Sequence, residues 1–355
     1  MNGKVTVLGK YNVYIGPGSL SKLPNLISSN NYSCIVLITD IFVEKYCLKQ
    51  IEKILPKKLV KIIIRPGEQF KNIATVQDIW QKLLLNSCDR RSLIINLGGG
   101  VILDIGGFAA STYMRGLDFL NIPTTLLAQV DASVGGKVGF DFAGIKNLIG
   151  TFNQPIAVIC DINLLSTLPE REFAAGFAEI IKHGLIADKK YFEKVSSKHP
   201  LKFTKDELIN IISASIKIKA DIVQRDETEN CTRKILNFGH TIGHAIESIS
   251  LETQTPLLHG EAISIGMMTE ARISFLLRML SANDLKLIEQ SLMNADLPIS
   301  IPDMTSKEII NKMQSDKKNV DGKINFTLLQ KIGKAIINQQ ISPTILQKAL
   351  RYDYS

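Results

Sequence analysis

Cysteine is scarce: Cys34, Cys47, Cys88, Cys160 and Cys231 form an odd set of five without a CxxC pair, which argues against a disulfide framework and against a zinc site built from cysteines. The opening stretch MNGKVTVLGKYNVYIGPG lacks the apolar core of a signal peptide, and no run of about 20 apolar residues escapes interruption by charge. A cytoplasmic chain with no membrane partner is therefore expected. Low-complexity linkers and internal repeats are missing too. Charge is not gathered into blocks: 42 Lys and Arg against 34 Asp and Glu give a net +8 scattered among Ile- and Asn-rich segments, so compositional bias accounts for most of the excess. No helix combines clustered Lys and Arg with interleaved aromatics, so no nucleic-acid partner is expected. What is abundant is core-forming material, since 45% of 355 residues are hydrophobic, enough for two domains and too many for a disordered protein.

The first half alternates short β-branched runs with helical periods. Residues 34–39, 60–64, 93–97 and 156–159 read as buried strands, 41–55 and 73–85 as helices, and VTVLGKYNVYIG as a hairpin closing one edge. This alternation implies an α/β domain with a Rossmann-like parallel sheet. From about Leu168 the periods are mostly helical, over 169–187, 205–224, 234–249, 260–280 and 284–293, with one late strand pair near 324–329. The expected division is an α/β domain over 1–167 and a mainly α-helical domain over 168–355, sharing a cleft that holds the active site.

LIINLGGGVILD is a strand running into Gly98, Gly99 and Gly100 and then a helix, the layout that offers backbone N–H groups to a phosphate. Positive φ at these glycines would let a pyrophosphate approach, although a tight turn alone also uses glycine. The GxGxxG fingerprint is absent. RPGEQFK supplies Glu68 and Lys71 on a turn, Thr124 and Thr125 follow a strand end, and Asp131 and Lys137 bracket a diglycine. Lys137, Lys146 and Asn147 are donors suited to a phosphate monoester, while solvated lysines are common anywhere.

In the helical half, NFGHTIGHAIE puts His240, His244 and Glu247 at i, i+4 and i+7 on one helix face, and HGEA adds His259, so three of five histidines fall within twenty residues. Imidazole clustering of this kind suits zinc, with a carboxylate completing three protein ligands and leaving one position open. An ordinary helix with hydrogen-bonded histidines is the plainer alternative. Spacing pairs His240 with His244, and the carboxylate could be Glu247, Glu261 or a distant residue such as Glu179, which lies in an apolar helical stretch where an unpaired charge would be costly.

The ordered segments GGGVILDIGGFAASTYMRG, PTTLLAQVDASVGGK, KNLIGTFNQP, LPEREFAAGFAEIIKHGLI, DETENCTRKILNFGHTIGHAIE and LHGEAISIGM together resemble the 3-dehydroquinate synthase family, over most of the chain. The resemblance implies conversion of 3-deoxy-D-arabino-heptulosonate 7-phosphate to 3-dehydroquinate and phosphate by transient NAD-dependent oxidation, phosphate elimination, re-reduction and intramolecular aldol closure, a lyase step of aromatic amino acid biosynthesis. It implies zinc, with cobalt as an alternative, on Glu179, His240 and His259, and His244 facing substrate. It implies NAD held by Asp40, Gly67, Glu68, Lys71, Gly100, Val101, Asp104, Thr124, Thr125, Lys137, Lys146 and Thr167. Lys137, Asn147, Arg233, Asn237 and His244 match residues that grip a sugar-acid phosphate, helped by Lys317 or Lys318. Asp131, Lys182, Lys219 and Glu229 match the group around the ring hydroxyls, and Arg115 matches an arginine reaching across a homodimer interface.

Three departures stand out: Leu103 replaces the usual Gly, GFDFAGIKN replaces a commoner stretch with Asn and Pro, and SLETQTPLLHG is about two residues longer, which could shift His259. The rivals are a metal-dependent polyol dehydrogenase, which would consume NAD+ stoichiometrically and leave Lys137, Asn147, Arg233 and Asn237 without an anion to hold, and a cyclase acting on another sugar phosphate. The arginine at 233 favours an acid substrate.

Overall fold

The computed structural model describes residues 3–314 and 324–351. Lys317 and Lys318 lie outside the described residues. By contacts the chain divides into two compact units, Met1–Pro169 with Lys219–Glu227, and Glu170–Ile218 with Thr228–Ser355.

The first unit is built on a seven-stranded sheet. Its strands are β1 (Gly3–Val7), β2 (Tyr11–Ile15), β3 (Cys34–Asp40), β4 (Val60–Ile64), β5 (Ser92–Gly98), β6 (Asp118–Pro123) and, after a separate hairpin of β7 (Lys137–Phe142) and β8 (Ile145–Phe152), β9 (Ala157–Cys160). The order across the sheet is β1-β2-β9-β6-β5-β3-β4. Only the β1–β2 pair is antiparallel, forming the expected edge hairpin. Such a sheet needs apolar cover on both faces, and alternate residues supply it. Val36 and Ile38 of β3 join the core under α3 (Ile73–Leu85) and α4 (Gly100–Thr112), whereas Ile35 and Leu37 join the core under α1 (Leu23–Ser28) and α2 (Ile41–Ile51).

The chain leaves β3 toward β4 on one side and builds β5, β6 and β9 on the other, so the carboxyl ends of β3 and β5 flank a topological switch point, where open α/β sheets bind ligands. The β7–β8 hairpin is absent from the sequence expectation, because Gly139 and Gly150 dilute its β pattern. It closes through Ala143 and Gly144, both at positive φ, as a two-residue primed turn requires.

The second unit is helical: α5 (Glu170–Ala187), α6 (Lys189–Val195), α7 (Lys205–Arg225), α8 (His240–Ser250), α9 (His259–Leu276), α10 (Ala282–Asn294), α11 (Ser306–Gln314) and α12 (Pro343–Leu350), with a hairpin of β10 (Phe326–Lys331) and β11 (Lys334–Gln339). The last turns of α7, from Lys219, count with the first unit. The helix expected over 234–249 is instead a short 3-10 stretch, Thr232–Asn237, and then α8, separated by Gly239 at φ 81°. No described helix is long and apolar enough to cross a membrane.

Candidate active site

At the switch point of the first unit, Gly98 ends β5, Gly99 sits at the N-cap of α4 without a side-chain cap, and Gly100 is the first helical residue. None of the three has positive φ, contrary to expectation; Gly98 is required by space instead, since a Cβ there would overlap Ile102. The uncapped first turn leaves amides available for an anion. Two hydroxyls at the ends of β3 and β6, the strands on either side of β5, Thr39 Oγ1 and Thr124 Oγ1, are buried with no hydrogen-bond partner among the described residues. Buried polar atoms are ordinarily satisfied, so a polar ligand lying here would complete them.

The groups around this turn are charged and tightly held. Gly67 opens the turn that carries Glu68. Lys71 is buried, and its Nζ donates to Asp104 Oδ2 at 2.6 Å and to Asn147 Oδ1 at 2.5 Å. Glu68 Oε1 lies 3.9 Å from Lys71 and 3.0 Å from Lys146. Burial works to lower the Lys71 pKa, but the carboxylates of Asp104, Glu68 and Asp141 outweigh it and the ammonium holds its proton above the ordinary lysine value. Burial raises Asp104, against the pull of Lys71. Asp40 ends β3, and its Oδ1 caps α2 by accepting from Phe42 N and Val43 N at 2.8 and 2.9 Å. Thr125 Oγ1 accepts from Ala128 N, Val101 packs on the sheet core, and Thr167 ends the 3-10 stretch Ile162–Thr167 with its hydroxyl 3.9 Å from Cys47 Sγ.

Asp131 sits in a single π-helical turn, Ala128–Ala132, a local form frequent at functional sites. Lys219 Nζ donates to its carbonyl and to its Oδ1, at 2.5 and 2.6 Å. Lys137 is exposed at the start of β7, and Arg115 is exposed at φ 70° beside Met114 at φ 49°.

In the second unit, α8 and α9 approach closely because Gly266 has no side chain: a Cβ there would overlap the Gly239 carbonyl. This contact sets His240 and His259, the first residues of the two helices, near each other. His240 Nε2 and His259 Nε2 each lie 3.9 Å from the same atom, Glu179 Oε1 of α5. For a metal at about 2.1 Å from each donor, two donors can be at most about 4.2 Å apart, so the pairs are within reach of one ion. Glu179 is fully buried and ion-paired with Lys182, and among the described residues neither of its oxygens is engaged in hydrogen-bond geometry. His240 Nδ1 faces Phe238 O at 3.1 Å, which leaves Nε2 as the donor atom.

His244 is in the same cluster: donor atoms of His240, His244 and His259 all lie within 4.8 Å of one another, so the spacing-based pair also meets in space. The other carboxylates that spacing allowed are engaged elsewhere. Glu261 takes Arg171 on both oxygens at 2.7 Å and caps Leu258 N at 2.7 Å, and Glu247 faces His259 Nδ1 at 3.2 Å. Asn237 donates to Glu229 Oε1 at 3.0 Å, and Arg233 is almost wholly buried. The longer loop before His259 is tied down by Leu257 N on Ser250 Oγ at 3.2 Å and by Arg171 on Pro256 O at 3.0 Å.

One residue of consequence was not singled out from the sequence. Glu270 of α9 is fully buried, and its carboxylate accepts from Gly239 N at 2.6 Å and Ile242 N at 3.4 Å, holding the N-terminus of α8. The signal was a lone acid inside the apolar run of α9.

A mainly parallel α/β unit with an uncapped helix at its switch point, followed by a helical unit that converges one carboxylate and two imidazoles, is a fold shared with solved sugar-phosphate cyclases. Family models described as 3-dehydroquinate synthase N-terminal and C-terminal match residues 61–175 and 176–319. The chain is 48% identical over 292 residues to a 3-dehydroquinate synthase of Thermodesulfovibrio yellowstonii, covering 81% of each chain. It is 44% identical over 322 residues to that of Alkaliphilus metalliredigens, covering 90% of this chain and 89% of the relative. Among solved structures it is similar to 2-epi-5-epi-valiolone synthase from Streptomyces hygroscopicus with NAD+ and Zn2+ bound, at TM-score 0.87 and 25% identity, covering 98% of this chain and 96% of that one. The chain belongs to the 3-dehydroquinate synthase family.

Proposed function

We propose that the chain is a lyase that converts 3-deoxy-D-arabino-heptulosonate 7-phosphate to 3-dehydroquinate and phosphate, with NAD in the first unit and zinc, or cobalt, in the second. The observation that carries the reading is the shared position of Glu179 Oε1, 3.9 Å from the Nε2 atoms of both His240 and His259, in a chain of this family. A buried carboxylate with two imidazoles is the donor chemistry of an open catalytic zinc site, and the buried Thr39 and Thr124 hydroxyls beside the uncapped α4 fit a nucleotide. When bound, NAD would supply reversible hydride transfer and the metal a Lewis acid for adjacent hydroxyls.

The residues of this chain supply the rest. Lys71, fixed by Asp104 and Asn147, presents a permanent positive charge beside the anion-binding turn. Lys219 donates to Asp131 Oδ1 and so fixes the orientation of that carboxylate. Lys137, Asn147, Arg233, Asn237 and His244 are assigned to the phosphate and carboxylate of the substrate, and Asp131, Lys182, Lys219 and Glu229 to its ring hydroxyls, Glu229 also accepting from Asn237 at 3.0 Å. Clamping two anionic ends orients a flexible acid for several successive steps, a contribution of about 7–11 kcal/mol in favourable cases. Lys317 and Lys318 lie outside the described residues and receive no role.

The working form is assigned as a cytoplasmic homodimer without nucleic-acid or membrane partners. Support for a second copy comes from apolar side chains left exposed beside Arg115 and on the β7–β8 hairpin: Met114, Phe142, Ile149 and Phe152. With heptulosonate phosphate in excess, Zn2+ and only trace NAD+, the protein should release one phosphate per substrate without accumulating NADH. Stoichiometric NADH would favour a polyol dehydrogenase, and no phosphate release would overturn the reading.

A further inference from the structure

We propose that Glu247 is a positioning residue of the metal site, holding His259 in the tautomer and orientation that leave Nε2 for the ion. The inference rests on the metal reading above and concerns a residue that the ligand set does not include.

Glu247 is 3% exposed, on α8 seven residues after His240, so one helix face carries both. Its Oε2 lies 3.2 Å from His259 Nδ1, while His259 Nε2 faces Glu179 Oε1. An ionised carboxylate has only acceptors, so Nδ1 must carry the hydrogen and Nε2 the lone pair. The partner on Nδ1 therefore decides which nitrogen is the metal donor, and an anionic partner raises the basicity of that donor.

The two histidines are not equivalent in this respect. His240 donates from Nδ1 to a neutral carbonyl, Phe238 O, and His259 to a carboxylate. Charge favours a carboxylate at this position. Glu179 is the sole acid in the proposed donor set, and its negative charge is already offset by the buried ammonium of Lys182. A dication among these side chains is stabilised by a further carboxylate held against a ligating imidazole. Glu247 supplies that carboxylate through the imidazole, from a buried position on α8 beside core residue Ile246. Glu261, the other acid near His259, cannot take this part, because Arg171 occupies both its oxygens.

The test measures metal affinity, not turnover. Metal-free wild-type protein, Glu247→Ala and Glu247→Gln are titrated with Zn2+ against a competing chromophoric chelator, and with Co2+ while its visible bands are recorded. Glu247→Ala should bind zinc 10- to 100-fold more weakly, the usual loss for an outer carboxylate, with altered cobalt bands. Glu247→Gln, which keeps a neutral acceptor, should lose less, and its metal-free melting temperature should match that of wild type. Should Glu247→Ala not fold, Glu247→Gln carries the comparison. Unchanged zinc affinity and cobalt bands in the folded variants would overturn the proposal. A wild-type chain that takes up no zinc would sink the metal reading itself, and the role of Glu247 with it.

Discussion

Lys71 shows how a single side chain can be read in part from sequence and in part only from its surroundings. The motif RPGEQFK marks it as a cation on a turn, but its burial and its bonds to Asp104 and Asn147 come from segments 33 and 76 residues away in the chain. Burying an ammonium is tolerable only with such partners, and removing one member leaves the other charge uncompensated. Lys71→Met should therefore cost roughly 3–5 kcal/mol, the range for breaking a buried ion pair, seen as a lower urea midpoint with an unchanged slope. It should also weaken NAD+ binding by at least about tenfold, the equivalent of one charge-assisted hydrogen bond. A variant as stable as wild type would mean that the pair contributes nothing to folding. The proposed metal donors divide in the same way. Local spacing brings His240 and His244 together, whereas Glu179 lies on another helix and its approach to both Nε2 atoms is a product of tertiary packing.

Elements were legible where one local rule governs them. The runs CIVLIT and LIINLG are continuous and apolar because β3 and β5 are covered on both faces, and the glycine-flanked hairpin of β1 and β2 is marked by its turn. They were illegible where a distant residue decides. The helical period over 234–249 runs on without a break in hydrophobicity, yet the chain changes direction at Gly239, because the carboxylate of Glu270 captures its N–H and restarts the helix there. The β7–β8 hairpin was hidden for the opposite reason: its glycines weaken the β signal, and packing against α4 through Phe108 and Phe140 supplies the order. The start of α7 is governed by a capping box, with Thr204 N on Glu207 Oε2 at 2.7 Å and Glu207 N on Thr204 Oγ1 at 3.3 Å. Lys198 and the Thr204 amide hold the half-buried Glu207 carboxyl down to about 2, below its ordinary value near 4.5. A depressed folded-state pKa contributes stability that is fully present above the unfolded value and is lost as pH falls through the folded one. Glu207→Gln should accordingly be less stable than wild type at neutral pH, with the difference shrinking between about pH 4.5 and pH 2 in thermal melts. A difference independent of pH would contradict this.

On the scale of the molecule, the class of each half was readable from the change of period near residue 168, while the order of strands was not, since sequence alternation says that strands are parallel without saying which neighbours pair. That order matters most for function, because it makes the ends of β3 and β5 a switch point. The contact-based division adds a detail the sequence could not carry: residues Lys219–Glu227, at the end of a helix counted with the second unit, belong with the first, so Lys219 serves Asp131 from a distant stretch of chain. Phe142, Ile149, Phe152 and Met114 leave apolar surface exposed on the first unit. The central claim is that Glu179, His240 and His259 hold the ion on which turnover depends. It is tested most directly by titrating Zn2+ into metal-free protein while following phosphate release from the heptulosonate phosphate, with His259→Ala in parallel. The account predicts that activity returns in proportion to one bound ion per wild-type chain, and that the variant stays folded but gains neither ion nor activity. Full phosphate release without metal, or undiminished zinc binding by His259→Ala, would contradict it.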